Sequence, residues 1–153
     1  MNLLDIEPIG RLLLASVLGY LIGLEREFAG QPAGERTHAL VALGAAAFSV
    51  ISASAFPGAD PSRLAAGVVT GLGFLGAGMI IKDTRGQIHG LTTAAGIWAV
   101  GSVGVAIGIG MYVLGIACAA ITALVLASER VFKLQEKLSS AESSGKDDNK
   151  PAS

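Results

Sequence analysis

The chain has 153 residues, of which 52% are hydrophobic and 15% are charged, and its formal net charge is −1. A typical soluble domain has about 25% charged residues, whereas this chain has no Asp, Glu, Lys or Arg at any position from 88 to 128. This composition excludes a soluble globular domain, and the near-neutral charge gives no support for a nucleic-acid partner. We therefore predict an integral membrane protein.

Three candidate membrane helices occupy the first half of the chain. A membrane helix needs about 20 mainly apolar residues, with a range of roughly 17 to 25. The first candidate runs from about 9 to 24 and holds Arg11 near its start, from where the side chain can reach the lipid headgroups. The second runs from about 38 to 56 and stops at a Pro-Gly pair. The third runs from about 64 to 81.

The apolar stretch from 91 to 127 is too long for one membrane helix. As a single helix it would be about 55 Å long, whereas the hydrocarbon core is about 30 Å thick. Gly108 and Gly110 weaken a helix near the middle of this stretch. We therefore predict a fourth helix at about 91–107 and a fifth at about 111–128, joined by a tight turn.

The chain changes character after residue 128. Residues 129–138 mix charged and apolar side chains and are predicted to extend the fifth helix out of the membrane. Residues 139–153 are rich in Ser, Asp, Lys and Asn and are predicted to be a disordered cytoplasmic tail. The predicted fold is thus an all-α integral membrane domain of five short, glycine-rich helices over residues 1–128.

The distribution of Lys and Arg indicates the orientation, because short cytoplasmic loops are richer in these residues than loops on the other side. With five passes, the side that holds the N-terminus carries Arg11 and Arg63. The opposite side carries the other nine of the 11 Lys and Arg residues. This bias predicts a periplasmic N-terminus and a cytoplasmic C-terminus.

Glycine is abundant, with 21 residues in the chain, and small residues let membrane helices approach one another closely. Pairs of glycines one helical turn apart occur at Gly19 and Gly23, Gly67 and Gly71, and Gly104 and Gly108. The third helix is expected to be the most enclosed, and its predicted packing residues are Gly67, Gly71, Gly73, Gly76 and Gly78. Packing inside the chain is the main interpretation of these pairs, and a homodimer face is the alternative.

Polar and charged side chains gather at the predicted cytoplasmic ends of the helices. The candidate functional residues are Glu25, Arg26, Glu27, Arg36, Thr37, His38, Asp83, Thr92 and Thr93. One interpretation is an ion-pair network that fixes the helix ends, since buried charges must be paired. The other is a binding site for a cation or a lipid phosphate. Carboxylates suit Mg²⁺, but no residue pattern specifies a metal, so the metal ligands stay unknown and no cofactor is predicted.

Four segments, in this order, carry a family resemblance. They are 23–27 (GLERE), 32–44 (PAGERTHALVALG), 73–78 (GFLGAG) and 90–98 (GLTTAAGIW). Together they resemble the membrane domain of the MgtC/SapB family of bacterial inner-membrane proteins. The resemblance covers roughly residues 5–128.

The resemblance implies a multi-pass inner-membrane protein with a cytoplasmic C-terminus. Some members are linked to growth in low magnesium and to acid stress, and their genes can lie beside Mg²⁺-transporting P-type ATPases. The best-known member is viewed as a regulator of membrane partners, including the F-type ATP synthase, and carries a folded cytoplasmic domain after its membrane part. Here only residues 129–153 follow the fifth predicted helix, and the Asn of the fourth-helix entry is replaced within 90–93. The chain therefore resembles the short SapB/YhiD-like branch.

A non-enzymatic membrane regulator is the main functional hypothesis, because no nucleophile and base occur at a compatible spacing and there is no phosphate loop. Its expected partners are the lipid bilayer, a membrane ATPase or Mg²⁺ transporter, and a second copy of the chain. The alternatives are a small Mg²⁺ or H⁺ transporter or oligomeric channel, and a purely structural scaffold. A carrier needs a polar site at the membrane midplane, where only weak groups such as Ser16, Thr70 and Ser102 occur.

Overall fold

The computed structural model describes residues 6–55, 60 and 62–128, which form five helices and one short hairpin. The helices are α1 (Ile6–Phe28), α2 (Glu35–Ala55), α3 (Ser62–Ala77), α4 (Leu91–Gly108) and α5 (Tyr112–Ser128). Between α3 and α4, β1 (Ile81–Lys82) pairs antiparallel with β2 (Ile88–His89). The predicted helical extension at 129–138 and the predicted tail at 139–153 lie outside the described residues.

Within the described part of the chain, α1, α2 and α4 are long and apolar enough to cross a membrane. The helices α3 and α5 are also apolar but shorter. The 16 residues of α3 correspond to about 24 Å of helix at 1.5 Å per residue, which is less than the hydrocarbon core of about 30 Å.

Helix α1 continues past its predicted end to Phe28, because the chain turns only at Gly30. Gly30 has a φ of +67°, a conformation that favours glycine. Its N–H donates to the carbonyl oxygen of Glu27 at 3.0 Å, and the N–H of Gln31 donates to that of Arg26 at 3.0 Å. These two bonds form a Schellman cap, and the charged residues before it therefore remain helical.

The tight turn between α4 and α5 is also a Schellman cap. Gly110 has a φ of +88°, and its N–H donates to the carbonyl oxygen of Ile107 at 3.0 Å. The N–H of Met111 donates to the carbonyl oxygen of Ala106 at 2.8 Å. Gly110 is therefore the residue that reverses the chain, whereas Gly108 is the last residue of α4.

Helix α3 ends at Ala77, earlier than the predicted boundary at 81, because a turn follows it. The N–H of Met79 donates to the carbonyl oxygen of Gly76 at 3.0 Å, and that of Ile80 to the carbonyl oxygen of Ala77 at 3.2 Å. Ile81, which was predicted to be the last residue of the third helix, therefore lies in β1.

The closest helix contacts join α2 to α1 on one side and to α4 on the other. A β-carbon at Gly19 would lie 2.5 Å from the carbonyl oxygen of His38, and one at Gly108 would lie 2.6 Å from that of Ala46. Real β-carbons are not found at such distances, so glycine is required for these close approaches. The buried apolar core consists of Ala15, Ile22, Ala42, Ala46, Val100, Val103, Ile107, Ala119 and Leu126.

The prediction that the third helix is the most enclosed is wrong for the described chain. A β-carbon at Gly67, Gly71 or Gly73 would have no described atom within 4 Å outside its immediate neighbours. The reason is that α1, α2 and α4 already pack on one another through their own glycines. Helix α3 is left at the periphery, where it contacts α4 more than α2.

The remaining two predicted packing glycines of this segment make weaker contacts than expected. A β-carbon at Gly76 would meet the methyl group of Ala94 at 3.5 Å, which is an ordinary contact with α4. A β-carbon at Gly78 would meet carbonyl oxygens of the preceding turn only. Among the residues of α3 whose burial the structure describes, only Gly76 is buried.

Arg11 joins α1 to the turn between α4 and α5 at one end of the bundle, which we call the Arg11 end. Its Nη1 donates to the carbonyl oxygen of Gly108 at 2.9 Å, its Nε to the hydroxyl oxygen of Tyr112 at 3.2 Å, and its Nη2 to Glu7 at 2.6 Å. The sequence predicts a side chain that reaches for the headgroups. That reach stays a prediction. The guanidinium also binds the carbonyl of Gly108, because the last carbonyl groups of a helix lack intrahelical partners.

Candidate functional site

The opposite end of the bundle, which we call the charged end, gathers most of the predicted site residues. Helix α1 ends and α2 begins there, since a β-carbon at Gly23 would lie 2.5 Å from Cα of Glu35. Helix α4 begins and α5 ends there as well, since a β-carbon at Gly96 would lie 3.7 Å from Nε2 of His38 and 3.8 Å from Leu126. The charged end comprises Glu25, Arg26, Glu27, Glu35, Arg36, Thr37, His38 and Thr93.

Arg26 is buried although it carries a charge, with 1% of its surface exposed. Its Nη1 lies 3.8 Å from Oε2 of Glu25, whose side chain is 14% exposed. Removing an ion from water costs several kcal/mol, so a buried cation needs a nearby anion. Glu25 supplies that anion, and the pair ties the last turn of α1 to the interior of the bundle.

His38 is also buried, with 1% of its surface exposed. Its Nδ1 lies 2.9 Å from the carbonyl oxygen of Gly34. A carbonyl oxygen can only accept a hydrogen bond, so Nδ1 carries the proton and Nε2 is unprotonated in the neutral ring. The ring thus holds the start of α2 in place, and its other nitrogen points toward Gly96 on α4.

The two threonines that were predicted to act together at the start of α4 are separated by the structure. Thr93 is buried, with 2% of its surface exposed, whereas Thr92 is exposed. Consecutive residues of a helix point in directions about 100° apart, so only one of them can face the bundle. Thr93 is therefore the one that belongs to the charged end.

A polar cleft of about 280 Å³ opens at the charged end beside the loop between α1 and α2. Its lining residues are Glu27, Pro32, Gly34, Glu35, Arg36 and Thr37. The carboxylate of Glu27 lies against Gly34, at a position that a β-carbon would occupy. The cleft therefore brings two carboxylates and one guanidinium together at the end of the bundle.

Glu35 and Arg36 make unequal contributions to this cleft. Oε1 of Glu35 lies 3.6 Å from Nε of Arg36, whose side chain is 89% exposed. The Glu35 side chain is 17% exposed, and its Oε2 is buried without a hydrogen bond from the described residues. Arg36 is thus free to move toward a partner, whereas Glu35 forms part of the cleft wall.

Asp83 organises the hairpin, and its described hydrogen bonds all lie within it. Its Oδ1 accepts the N–H groups of Gln87 at 2.9 Å and Arg85 at 2.8 Å, and its Oδ2 lies 3.2 Å from Nε2 of His89. The N–H of Gln87 and then the His89 ring hold the pKa of Asp83 below its ordinary value. Asp83 is therefore a turn residue here, and not a member of the cleft.

The described residues contain no group of three or more His, Cys, Asp or Glu side chains placed to hold a metal ion. Glu27 and Glu35 line the cleft together with Arg36, whose Nε lies 3.6 Å from Oε1 of Glu35.

The interior between the two ends is mostly apolar in the described chain, with buried hydroxyl groups at Ser49 and Ser52 of α2. Its core consists of small and branched aliphatic side chains. Ser49 is buried, and its hydroxyl donates to the carbonyl oxygen of Ala45 at 2.8 Å in its own helix. Thr70 and Ser102 bond to their own helices in the same way and are exposed on the outer surface. These hydroxyls do not form a polar path through the bundle.

Sequence reasoning left Pro32, Gly34, Glu35 and Gly96 out of the candidate site. The spacing of Gly34 and His38 was a usable signal, because a side chain four residues into a helix can reach the carbonyl of the residue before it. No pattern in the sequence identifies Gly96, because its role depends on which helix packs against the imidazole.

A sequence profile that describes the MgtC family matches residues 12–134 of the chain. The protein named putative magnesium transporter YhiD from Escherichia coli strain K12 is 45% identical over 141 residues, covering 86% of this chain and 65% of that protein. The protein MgtC of Brucella abortus strain 2308 is 48% identical over 97 residues, covering 63% of this chain and 40% of that protein.

The protein MgtC of Salmonella typhimurium strain 14028s is 46% identical over 101 residues, covering 66% of this chain and 43% of that protein. The chain therefore spans about two thirds or less of the length of the curated relatives it matches. No solved structure matches the chain significantly.

Proposed function

This chain belongs to the MgtC family, and on that premise we propose that it is a magnesium-related regulatory protein of the bacterial inner membrane. It acts without catalysing a reaction, by binding a membrane partner through the charged end. The partner that we propose is a membrane ATPase or a Mg²⁺ transporter. The observation that carries the proposal is the polar cleft between Glu27 and Arg36, which lies at one end of a bundle with an apolar interior.

The orientation is part of the proposal. We place five passes in the membrane with the N-terminus in the periplasm, so that the charged end faces the cytoplasm. The bias of Lys and Arg supports this placement. A fluorescent protein fused after Ser139 is expected to be bright, and alkaline phosphatase fused after Gly110 is expected to be active. Alkaline phosphatase activity after Ser139 would overturn the orientation.

Site-specific photocrosslinking in living bacteria tests the partner. A photoreactive amino acid replaces Arg36, which is 89% exposed at the cleft. The matched control replaces Val113, which is 85% exposed near the Arg11 end. We expect crosslinks to a subunit of a membrane ATPase or a Mg²⁺ transporter from position 36 only. Equal crosslinks from both positions, or lipid adducts alone, would contradict the proposal.

Transport is the second candidate function, and it is favoured by the name of the YhiD relative, a putative magnesium transporter. The apolar interior supports the regulator instead, because a carrier needs polar groups near the midplane. Purified protein in liposomes that contain a Mg²⁺ indicator distinguishes the two. We expect no flux above that of empty liposomes. Mg²⁺ flux that is lost in Glu35→Gln would overturn the regulatory proposal.

A further inference from the structure

The His38 ring lies directly behind the wall of the polar cleft. Its Nδ1–H donates to the carbonyl oxygen of Gly34 at 2.9 Å, and its backbone N–H donates to the same oxygen at 3.2 Å. Gly34 lines the cleft, with the Glu27 carboxylate lying against it. The side-chain hydrogen bond of these two connects a buried imidazole to the surface that we propose as the binding site.

The surroundings of the ring come from four helices. Helix α1 contributes Arg26 and Glu25, whose charges both act on the imidazole. Helix α4 has no ionisable side chain, and its Gly96 lies beside Nε2. Helix α5 contributes the methyl groups of Leu126 at the same position. On α2 itself, Glu35 and Arg36 precede the ring by one turn or less.

Adding a proton to Nε2 would change these contacts. The ring would gain a positive charge, which the Arg26 guanidinium opposes and the Glu25 carboxylate favours. It would also gain a second N–H donor on the side of Gly96 and Leu126. A charged group is disfavoured where it is removed from water. The ring can regain water by moving outward, and such a movement breaks its hydrogen bond to Gly34.

We infer that His38 is a proton-operated switch of the cleft, in which the neutral ring adds a second hydrogen bond to the Gly34 carbonyl and the protonated, displaced ring leaves that carbonyl with its backbone bond alone. Imidazole is the side chain whose ordinary charge change falls nearest to neutral pH, and burial disfavours its charged form, so the switch responds to acidification. The inference rests on the proposed function only in taking the cleft as the binding surface. The movement of the cleft itself needs no partner.

The test uses the full chain in phospholipid nanodiscs. Thr37, which lines the cleft, is replaced by Cys in a Cys118→Ser background and labelled with an environment-sensitive fluorophore. The chain has only two histidines, so His89→Asn is the matched control and His38→Asn is the test. The amide of Asn can donate to Gly34 in place of Nδ1 and does not titrate in this range.

We expect a shift in emission between pH 8 and pH 5.5 in the parent and in His89→Asn, and loss of that shift in His38→Asn. A shift that persists in His38→Asn, or one that disappears in His89→Asn, would overturn the inference. The labelled parent is compared with the unlabelled chain by circular dichroism at both pH values, so that general unfolding is recognised.

If His38→Asn does not fold, the imidazole can be followed directly in the parent chain. Nitrogen-15 spectra of His-labelled protein distinguish the Nδ1–H ring from the imidazolium, and His89→Asn leaves His38 as the single signal. We expect conversion to the imidazolium together with the emission shift. A ring that stays neutral throughout, or one that titrates without any change at the cleft, would overturn the switch. Crosslinking from position 36 is measured in a separate experiment. Failure of the partner proposal can therefore be distinguished from failure of the His38 switch.

Discussion

Arg11 Nη1 donates to the carbonyl oxygen of Gly108 at 2.9 Å and so fastens the first helix to the end of the fourth. The two residues are 97 positions apart in the chain. The same guanidinium reaches the Tyr112 hydroxyl and Glu7. One side chain thus connects three helices at the end of the bundle opposite to the cleft.

Replacing Arg11 should weaken this connection. Arg11→Leu removes a charge-assisted hydrogen bond to a helix-terminal carbonyl, an interaction of about 1.5–3 kcal/mol. Denaturant titration in detergent should show a loss of stability of that order. The control Glu7→Gln should cost about 0–1 kcal/mol, because the Glu7 side chain is 68% exposed. Equal losses in the two variants would contradict the role of the Gly108 contact.

The helix contacts at glycine predict opposite effects of alanine at two positions. In Gly104→Ala the new methyl would meet the carbonyl oxygen of Ala42 and lie 2.7 Å from the β-carbon of Ala45. Such overpacking costs about 1–3 kcal/mol. In Gly67→Ala the methyl meets no described atom within 4 Å, so the better helix propensity of alanine should stabilise the chain by up to about 1 kcal/mol.

Thermal unfolding of both variants at a detergent concentration that keeps the chain monomeric measures this difference. Destabilisation of the monomer by Gly67→Ala would contradict the peripheral position of α3. If the loss appears only when the chain self-associates, the result supports the homodimer face that the sequence left open as an alternative.

Two arginines at the charged end should respond differently to loss of charge. Arg26→Gln removes the guanidinium that lies 3.8 Å from the mostly buried Glu25 carboxylate, and breaking a buried ion pair costs about 3–5 kcal/mol. Arg36→Gln should cost about 0–1 kcal/mol, since the Arg36 side chain is 89% exposed. The loss of stability in each variant is measured from the denaturant midpoint, and the expression level of each variant is compared alongside. A smaller effect at Arg26 than at Arg36 would be inconsistent with its burial.

The hairpin should lose its structure in acid. The N–H of Gln87 and the His89 ring hold the pKa of Asp83 below its ordinary value of 3.8. Because the folded value is the lower one, the contribution of Asp83 is complete above 3.8 and is lost as the pH falls through the folded pKa. The protection factor of the Gln87 amide, which corrects for the intrinsic exchange rate at each pH, should therefore stay constant from pH 7 to about 4 and decrease once the pH is below the ordinary pKa of 3.8. In Asp83→Asn the protection of the Gln87 amide should not change with pH in this range, because the Asn side chain does not titrate.

Composition and apolar run length were sufficient to predict a helical membrane protein. Long, mainly apolar runs predict α1, α2 and α4, because a segment of about 20 such residues is favoured in a bilayer. The break in the long apolar stretch was also predictable, since two glycines interrupt it. Most of the residues at the charged end could be chosen in advance, because polar residues between apolar helices collect at helix ends.

Only the tertiary structure decided which of these residues face the interior. Arg26 and Thr93 are buried while their neighbours Glu27 and Thr92 are exposed, and this depends on how each helix is rotated against the others. Helix rotation also explains why Gly108 packs against another helix whereas Gly67 has no described atom near its Cβ position. Both belong to glycine pairs with the same spacing, and spacing does not reveal which face of a helix meets a partner. Spacing along the chain sets what can share a helix face, whereas burial depends on the neighbouring helix.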